Sequence, residues 1–316
     1  MVWESGQESP RTITLDDLAG IAAPVLAWYD LVAPTPEELA TAGARLGLDS
    51  HTLEDALSLR ERPKIIHFGT YSFLTTYVIQ AANDEVHATR VSAYILPNAL
   101  VTIRLDDGFA MDDVVTRWRQ DPHLVEWGSP GLLQGLMDVI VDAQFDLLET
   151  LDAAVDDLTK QLFAAKPDIK AIQTRTFVLR GQMAGLHRVI PQTRDIVASI
   201  IRQGLAERWS VDLRAYWEDV NDHVLRASEW IDALRDMVAS IFEASLALND
   251  SRMNEVMKKL AAWAAIIAVP TLITGWFGQN IPYPGFSEPL GLWLAAGLVL
   301  TAVVTLFIVF KKNGWL

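Results

Sequence analysis

No cysteine occurs in the 316 residues. Disulfide scaffolds, thiolate zinc sites and cysteine nucleophiles are thereby excluded. Positive charge is scarce: 26 Lys plus Arg stand against 40 Asp plus Glu, a net charge of −14. So acidic a chain has little with which to neutralise phosphates, which argues against nucleic acid as a partner. Charge of either sign is missing near the C-terminal end, with none between Lys259 and Glu288 or between Glu288 and Lys311. Gly and Pro are missing from Val211 to Val269, a run of 59 residues. The six His residues, at positions 51, 67, 87, 123, 187 and 223, include no pair at the i, i+4 spacing of a helical zinc site. His223 is expected on the exterior of its helix. No nucleophile elbow, phosphate loop or paired-carboxylate hydrolase pattern is present, so neither an enzyme nor an organic cofactor is expected.

What is present divides into an acidic soluble part and a membrane part. Leu260 to Phe277 is an uncharged apolar run of 18 residues, and Leu290 to Phe310 is another of 21. At about 1.5 Å per helical residue the second spans roughly 31 Å, enough for a bilayer core. The two runs read as a transmembrane hairpin. Lys258 and Lys259 precede the first run and Lys311 and Lys312 follow the second, while the loop from Gln279 to Pro289 has no Lys or Arg. By the positive-inside rule both termini lie in the cytoplasm and the loop lies outside. Met1 to Arg11 is polar, so no signal peptide is expected. A multi-pass protein of the cytoplasmic membrane follows, with the lipid bilayer as a partner.

The soluble part mixes element types. Thr35, Pro36 and Glu38 predict a capping box, and Gly47 stops that helix. Tyr71 to Ile79, Arg90 to Leu96 and Leu100 to Leu105 are strand candidates, the last two separated by the turn-forming Pro97-Asn98. From Gly131 to about Gln203 the pattern is helical, with Leu133, Met137, Ile140, Val141, Phe145, Leu148 and Leu151 at helical spacing. Asp138, Asp142, Asp146, Glu149, Asp152, Asp156 and Asp157 share that helix. A solvated acidic face is the plain reading, and a surface that concentrates cations near a pore is the other. The Gly- and Pro-free run predicts a stalk helix roughly 90 Å long that continues into the first span. A stalk that long on one thin hairpin makes sense when several copies pack around an axis. The expected fold is therefore an α+β domain over residues 1–127, a helical region and stalk over 128–259, and a two-helix membrane part over 260–316 with its outer loop at 278–289.

Gly278-Gln279-Asn280 closes the first span, with Asn280 ten residues after Pro270. Upstream stand Leu53-Glu54-Asp55-Ala56-Leu57, Arg62-Pro63-Lys64, Tyr216-Trp217-Glu218-Asp219-Val220-Asn221-Asp222-His223 and Ser251 to Lys258, and the chain ends Lys311-Lys312-Asn313-Gly314-Trp315-Leu316. In this order the motifs resemble the CorA family of divalent metal-ion transporters over nearly the whole chain. The resemblance implies a homopentameric funnel whose five first spans line one pore, carrying Mg²⁺ and also Co²⁺ or Ni²⁺. The family loop is usually Gly-Met-Asn, so Gln279 is a departure. The ZntB branch, which handles zinc, also has other middle residues. A Zn²⁺ transporter of that kind, possible proton coupling included, is the alternative. From another class, a membrane-anchored metal sensor that does not conduct also fits the topology.

The resemblance makes Gly278, Gln279 and Asn280 the selectivity filter. Mg²⁺ releases its water reluctantly, and a neutral ring of Asn280 amide oxygens would hold the hydrated ion weakly enough to let it pass. A helix-ending turn is the plain alternative for Asn280. Helical spacing back from Asn280 predicts a pore face of Gly275, Thr271, Ala268, Ala264, Leu260 or Ala261, Met257 and Asn254. Thr271 and Asn254 offer oxygen, and Met257 and Leu260 an apolar constriction. The Thr271 hydroxyl has a competing use, bonded back to its own helix. Glu288 is the only acid in the loop. In the family, divalent ions between neighbouring soluble domains hold the pore shut. The stalk acid of that metal site matches Asp219, and its partner position falls near Ala82, where Asp84, two residues on, is the expected substitute ligand. An ordinary surface charge is the other reading of Asp219.

Overall fold

The computed structural model describes residues 1–3, 26–58, 61–82, 85–279, 282–283, 285–286 and 288–316. Its strands are β1 (Val2–Trp3), β2 (Leu26–Val32), β3 (Lys64–His67), β4 (Ser72–Ala82), β5 (Glu85–Leu96) and β6 (Ala99–Arg104). They form one sheet in the order β1-β2-β6-β5-β4-β3. From β3 to β6 the chain is an antiparallel meander. Pro97-Asn98 makes its tight corner, with Leu96 opposite Ala99. β2 joins in parallel, Ala27 opposite Ala99 through Val32 opposite Arg104. The sequence pattern marks β4, β5 and β6 but neither β2 nor β3. Most of β2 does not alternate, and its partner is distant in the chain.

Alternation along the strands buries both faces of the sheet. Leu74, Val78, Val91, Ala93 and Leu100 join one core, and Phe73, Tyr94, Val101 and Ile103 join another. The second core is closed by Leu39 of α1 (Pro36–Leu46) and Ala56 of α2 (Ser50–Leu57). The capping box forms as expected. The Thr35 hydroxyl oxygen accepts from the Glu38 N–H at 3.2 Å, and Glu38 accepts from the Thr35 N–H at 2.8 Å. Gly47 ends α1 at φ 67°, a conformation only glycine adopts without strain.

The first core is built on α3 (Asp112–Gln120), α4 (Pro122–Glu126) and α5 (Ser129–Leu162). Trp118 of α3 is its keystone, edge-on to Trp3 and Trp28 with centroids 5.8 and 5.0 Å away. Its indole N–H donates to the Leu132 carbonyl of α5 at 3.0 Å. The helical pattern expected to Gln203 is two helices, α5 and α6 (Ile169–Ala206).

The stalk is α7 (Val211–Phe277), one helix of 67 residues, and α8 (Pro289–Lys312) follows it. Leu213, Trp217, Val220, Val224, Ala227, Ile231, Leu234, Val238 and Ile241 are all buried. Their separations alternate four and three, the 3.5-residue seam of coiled-coil packing. α7 and α8 are both long and apolar enough to cross a membrane. Residue contacts divide the chain into two units: Met1–Lys166 with Thr174–Ile241, and Pro167–Gln173 with Phe242–Leu316. In the second unit the Arg252 guanidinium donates to the Pro167 carbonyl at 3.0 Å.

Candidate functional site

Three helices of the first unit bring charge to one place. Asp138 and Asp142 lie four apart on α5, and Asp219 and His223 lie four apart on α7, so each pair shares a helix face. One carboxylate oxygen each from Asp138 and Asp142 and one ring nitrogen of His223 all lie within 4.8 Å of one another. Arg117 of α3 completes the group. One guanidinium nitrogen donates to Asp138 and the other, at 2.8 Å, to Asp142.

The setting is partly dry. The Asp138 side chain is only 10% exposed. Burial pushes its carboxyl above the ordinary carboxylate range, Arg117 opposes that, and the charges of Asp142 and Asp219 add to it. The acidic face of α5 is therefore not uniformly solvated: at Asp138 it is interior and ion-paired. His223 likewise departs from the exterior placement expected for it. Its ring stands edge-on to Phe145, centroids 5.7 Å apart. Its Nδ1 is buried and makes no hydrogen bond, since the Asp219 oxygen 3.9 Å away is beyond reach.

Asp219 lies at the rim of this cluster, its side chain 66% exposed. Asp84 lies outside the described residues. Sequence reasoning singled out Asp219 and missed Arg117, Asp138, Asp142 and His223 as a group. The available signal was two i, i+4 pairs, Asp138 with Asp142 and Asp219 with His223, on helices that had to be brought face to face.

In the second unit the membrane part of α7 has two faces. Ala262 and Ile266 are buried, and Val269, Ile273 and Phe277 are half-buried. Asn254, Met257, Leu260, Ala261, Ala264, Ala268, Thr271 and Gly275 are exposed, as are Trp263, Ile267, Leu272 and Trp276 on the flanks between the two sets. At about 100° per residue the centres of the two sets lie roughly 180° apart around the helix. Thr271 does bond back, its hydroxyl donating to the Ile267 carbonyl at 2.8 Å. That bond uses the proton and leaves oxygen lone pairs to accept or coordinate. At the end of the helix the Gly278 N–H donates to the Thr274 carbonyl at 2.9 Å and the Gln279 N–H to Trp276 at 3.3 Å. Both residues are exposed. Asn280 lies outside the described residues. Glu288 is exposed at the N-cap of α8, and its side chain makes no capping bond.

Comparison with known proteins agrees with this organisation. Residues 24–312 match the family described as CorA-like Mg²⁺ transporter protein. A Thermotoga maritima protein named cobalt/magnesium transport protein CorA is 28% identical over 280 residues, covering 87% of this chain and 78% of that one. The complete structure of the CorA magnesium transporter from Methanocaldococcus jannaschii matches with a TM-score of 0.76 at 23% identity, covering 92% of this chain and 91% of that one. The cytoplasmic domain of ZntB from Vibrio parahaemolyticus matches more distantly, with a TM-score of 0.58 at 14% identity over 73% of this chain and 90% of that one. The fold is thus shared with CorA structures: an α/β soluble domain, a long helix and a C-terminal apolar helix. The match spans the soluble domain and both apolar helices, and the chain belongs to the CorA-like Mg²⁺ transporter family.

Proposed function

We propose that the chain forms a homopentamer in the cytoplasmic membrane and carries Mg²⁺ inward through an axial pore lined by α7. Both termini face the cytoplasm, Gly278, Gln279 and Asn280 form the filter at the outer mouth, and the Glu288 charges draw cations towards it. The observation that carries this reading is the face of small and polar residues, Ala264, Ala268, Thr271 and Gly275, that α7 sets opposite buried Ala262 and Ile266. Five such faces around an axis give a pore with oxygen at Asn254 and Thr271 and apolar narrowing at Met257 and Leu260. Ala264 and Ala268 leave the section between them wider. The inside-negative potential supplies about 4.6 kcal/mol per 100 mV for a charge of +2, which suffices for uptake. CorA relatives carry cobalt in their printed names, so Co²⁺ is a second cargo.

Internal divalent ion closes the pore by binding the cluster in the first unit. Its donor set fits a divalent cation: Asp138 and Asp142 present hard carboxylate oxygens, His223 an unused ring nitrogen, and Asp219 further charge at the rim. When internal ion falls, the closed state loses the support of the bound ion, which favours opening. A Zn²⁺ transporter of the ZntB kind is the second reading. It is favoured by the imidazole of His223 among the donors, which suits zinc better than magnesium, and by Gln279 in the loop.

The deciding experiment is ion flux into proteoliposomes holding Mg²⁺- and Zn²⁺-sensitive dyes, under an imposed potential. Asn280→Ala runs alongside. Mg²⁺ influx that follows the potential and vanishes in the variant is the expected result. Zn²⁺ influx without Mg²⁺, driven by a pH gradient, would move the protein to the second reading. Absence of flux for either ion would leave only the non-conducting sensor.

A further inference from the structure

Arg117 holds two of the carboxylates that a divalent ion would use. Its two guanidinium nitrogens hold one oxygen each of Asp138 and Asp142. Those two carboxylates also belong to the donor group that includes His223. A divalent ion draws carboxylate oxygens to about 2.0–2.6 Å, so it would compete with the guanidinium for this pair and be repelled by its charge.

The Arg117 charge has a purpose when no ion is bound. A carboxylate as enclosed as Asp138 is costly to keep ionised without a partner, and Arg117 opposes that cost. The bridge is also free to open. The Arg117 side chain is 38% exposed, and it borders an open cleft of about 320 Å³ that Asp113, Gln120, Asp142 and Asp146 also line. Asp113 and Asp146 place two further carboxylates on that cleft.

We propose that Arg117 is a tethered cation that fills the regulatory site in the ion-free protein and must be displaced for a divalent ion to bind, so that it sets the ion level at which the pore closes. This rests on reading the Asp138–Asp142–His223 cluster as the regulatory site. If the ion-competent arrangement is the minor one, with Arg117 swung out, apparent affinity falls by its fractional population. Removing the guanidinium lifts that penalty, so the variant binds the ion more tightly although it has lost a stabilising ion pair.

The test uses the full-length protein in detergent, with the midpoint of its Mg²⁺-dependent rise in melting temperature as the readout. Arg117→Gln is expected to melt lower than wild type without ion and to reach its Mg²⁺ midpoint at a concentration at least tenfold lower. Arg117→Lys keeps the charge but loses the two-pronged grip, and is expected to shift the midpoint in the same direction by less. Arg119→Gln removes the same charge from the exposed side of α3 and is expected to leave the midpoint unchanged. An unchanged or raised midpoint in both Arg117 variants overturns the proposal, as does an equal shift in Arg119→Gln. The double variant Asp138→Asn, Asp142→Asn tests the underlying reading separately. Loss of its Mg²⁺ response upholds the site whatever Arg117 does, and a wild-type response removes the site itself.

Discussion

Gly135 offers a measurable handle on how α3 and α5 fit together. A Cβ added there would stand 2.7 Å from Trp118 Nε1, 2.8 Å from its Cδ1 and 3.2 Å from Leu124 Cδ1. Carbon contacts are comfortable at about 3.5–4.0 Å, so the indole must retreat by roughly 0.8–1 Å. It has little room, being 2% exposed and wedged against Trp3 and Trp28. Overpacking of this kind costs about 1–3 kcal/mol. If the indole N–H also loses the Leu132 carbonyl, about 1–3 kcal/mol more is lost. The better helix propensity of alanine returns about 0.5–1 kcal/mol. With that bond lost, the net for Gly135→Ala is a destabilisation of about 1–5.5 kcal/mol, which corresponds to roughly 1.5–8 °C in melting temperature for a chain of this size. Tryptophan fluorescence during thermal unfolding of the detergent-solubilised protein reads the effect directly. Gly181→Ala on α6 is the control: nothing lies within 4 Å of its added Cβ, and it should be neutral or stabilising by up to about 1 kcal/mol. A Gly135→Ala protein that melts with or above wild type would refute the packing argument. Because Trp118 adjoins Arg117 on α3, the same variant should also loosen the bridges to Asp138 and Asp142.

Three further outcomes are expected. Asp219→Ala should weaken inhibition of flux by millimolar internal Mg²⁺, and an inhibition curve identical to wild type would remove Asp219 from regulation. The Glu38 carboxyl is held below the usual range by the Thr35 N–H and hydroxyl. Its folded value is depressed, so the stability it lends is present above the ordinary carboxylate pKa and is lost as pH falls through the lowered one. The melting-temperature gap between wild type and Glu38→Gln should therefore shrink on acidification through that window, and a constant gap would contradict the capping assignment. Native mass spectrometry of the solubilised protein should show an assembly of five chains, and a monomer would undercut the axial pore.

Much of this was legible in the sequence because it rests on local, repetitive signals. Apolar runs without charge mark α8 and the end of α7, and the absence of Gly and Pro marks the unbroken stalk. The capping box at Thr35 and the turn at Pro97-Asn98 are set by residues within four positions of each other. The clustered acids were less legible. Asp138 and Asp146 look alike along α5, and only the packing of α3 and α7 makes the first interior and paired. His223 reads as polar and outward until Phe145 and Asp138 are placed against it. Arg117 carries no motif, since its role depends on Trp118 fixing α3 over α5. The β2–β6 pairing was illegible for a related reason: parallel register is set by distant partners and leaves no local turn signature.

That pairing also bears on how the chain is made. The meander from β3 to β6 closes through short connections and can form as soon as it leaves the ribosome. β2 cannot, because its register sets Val32 opposite Arg104, 104 − 32 = 72 residues later. At about 5–20 residues per second, translation of that interval takes roughly 4–14 s. Throughout it Leu26 and Trp28, destined for the core, have no sheet to join. The vulnerable moment in the protein's biogenesis therefore comes early, before any membrane segment is synthesised.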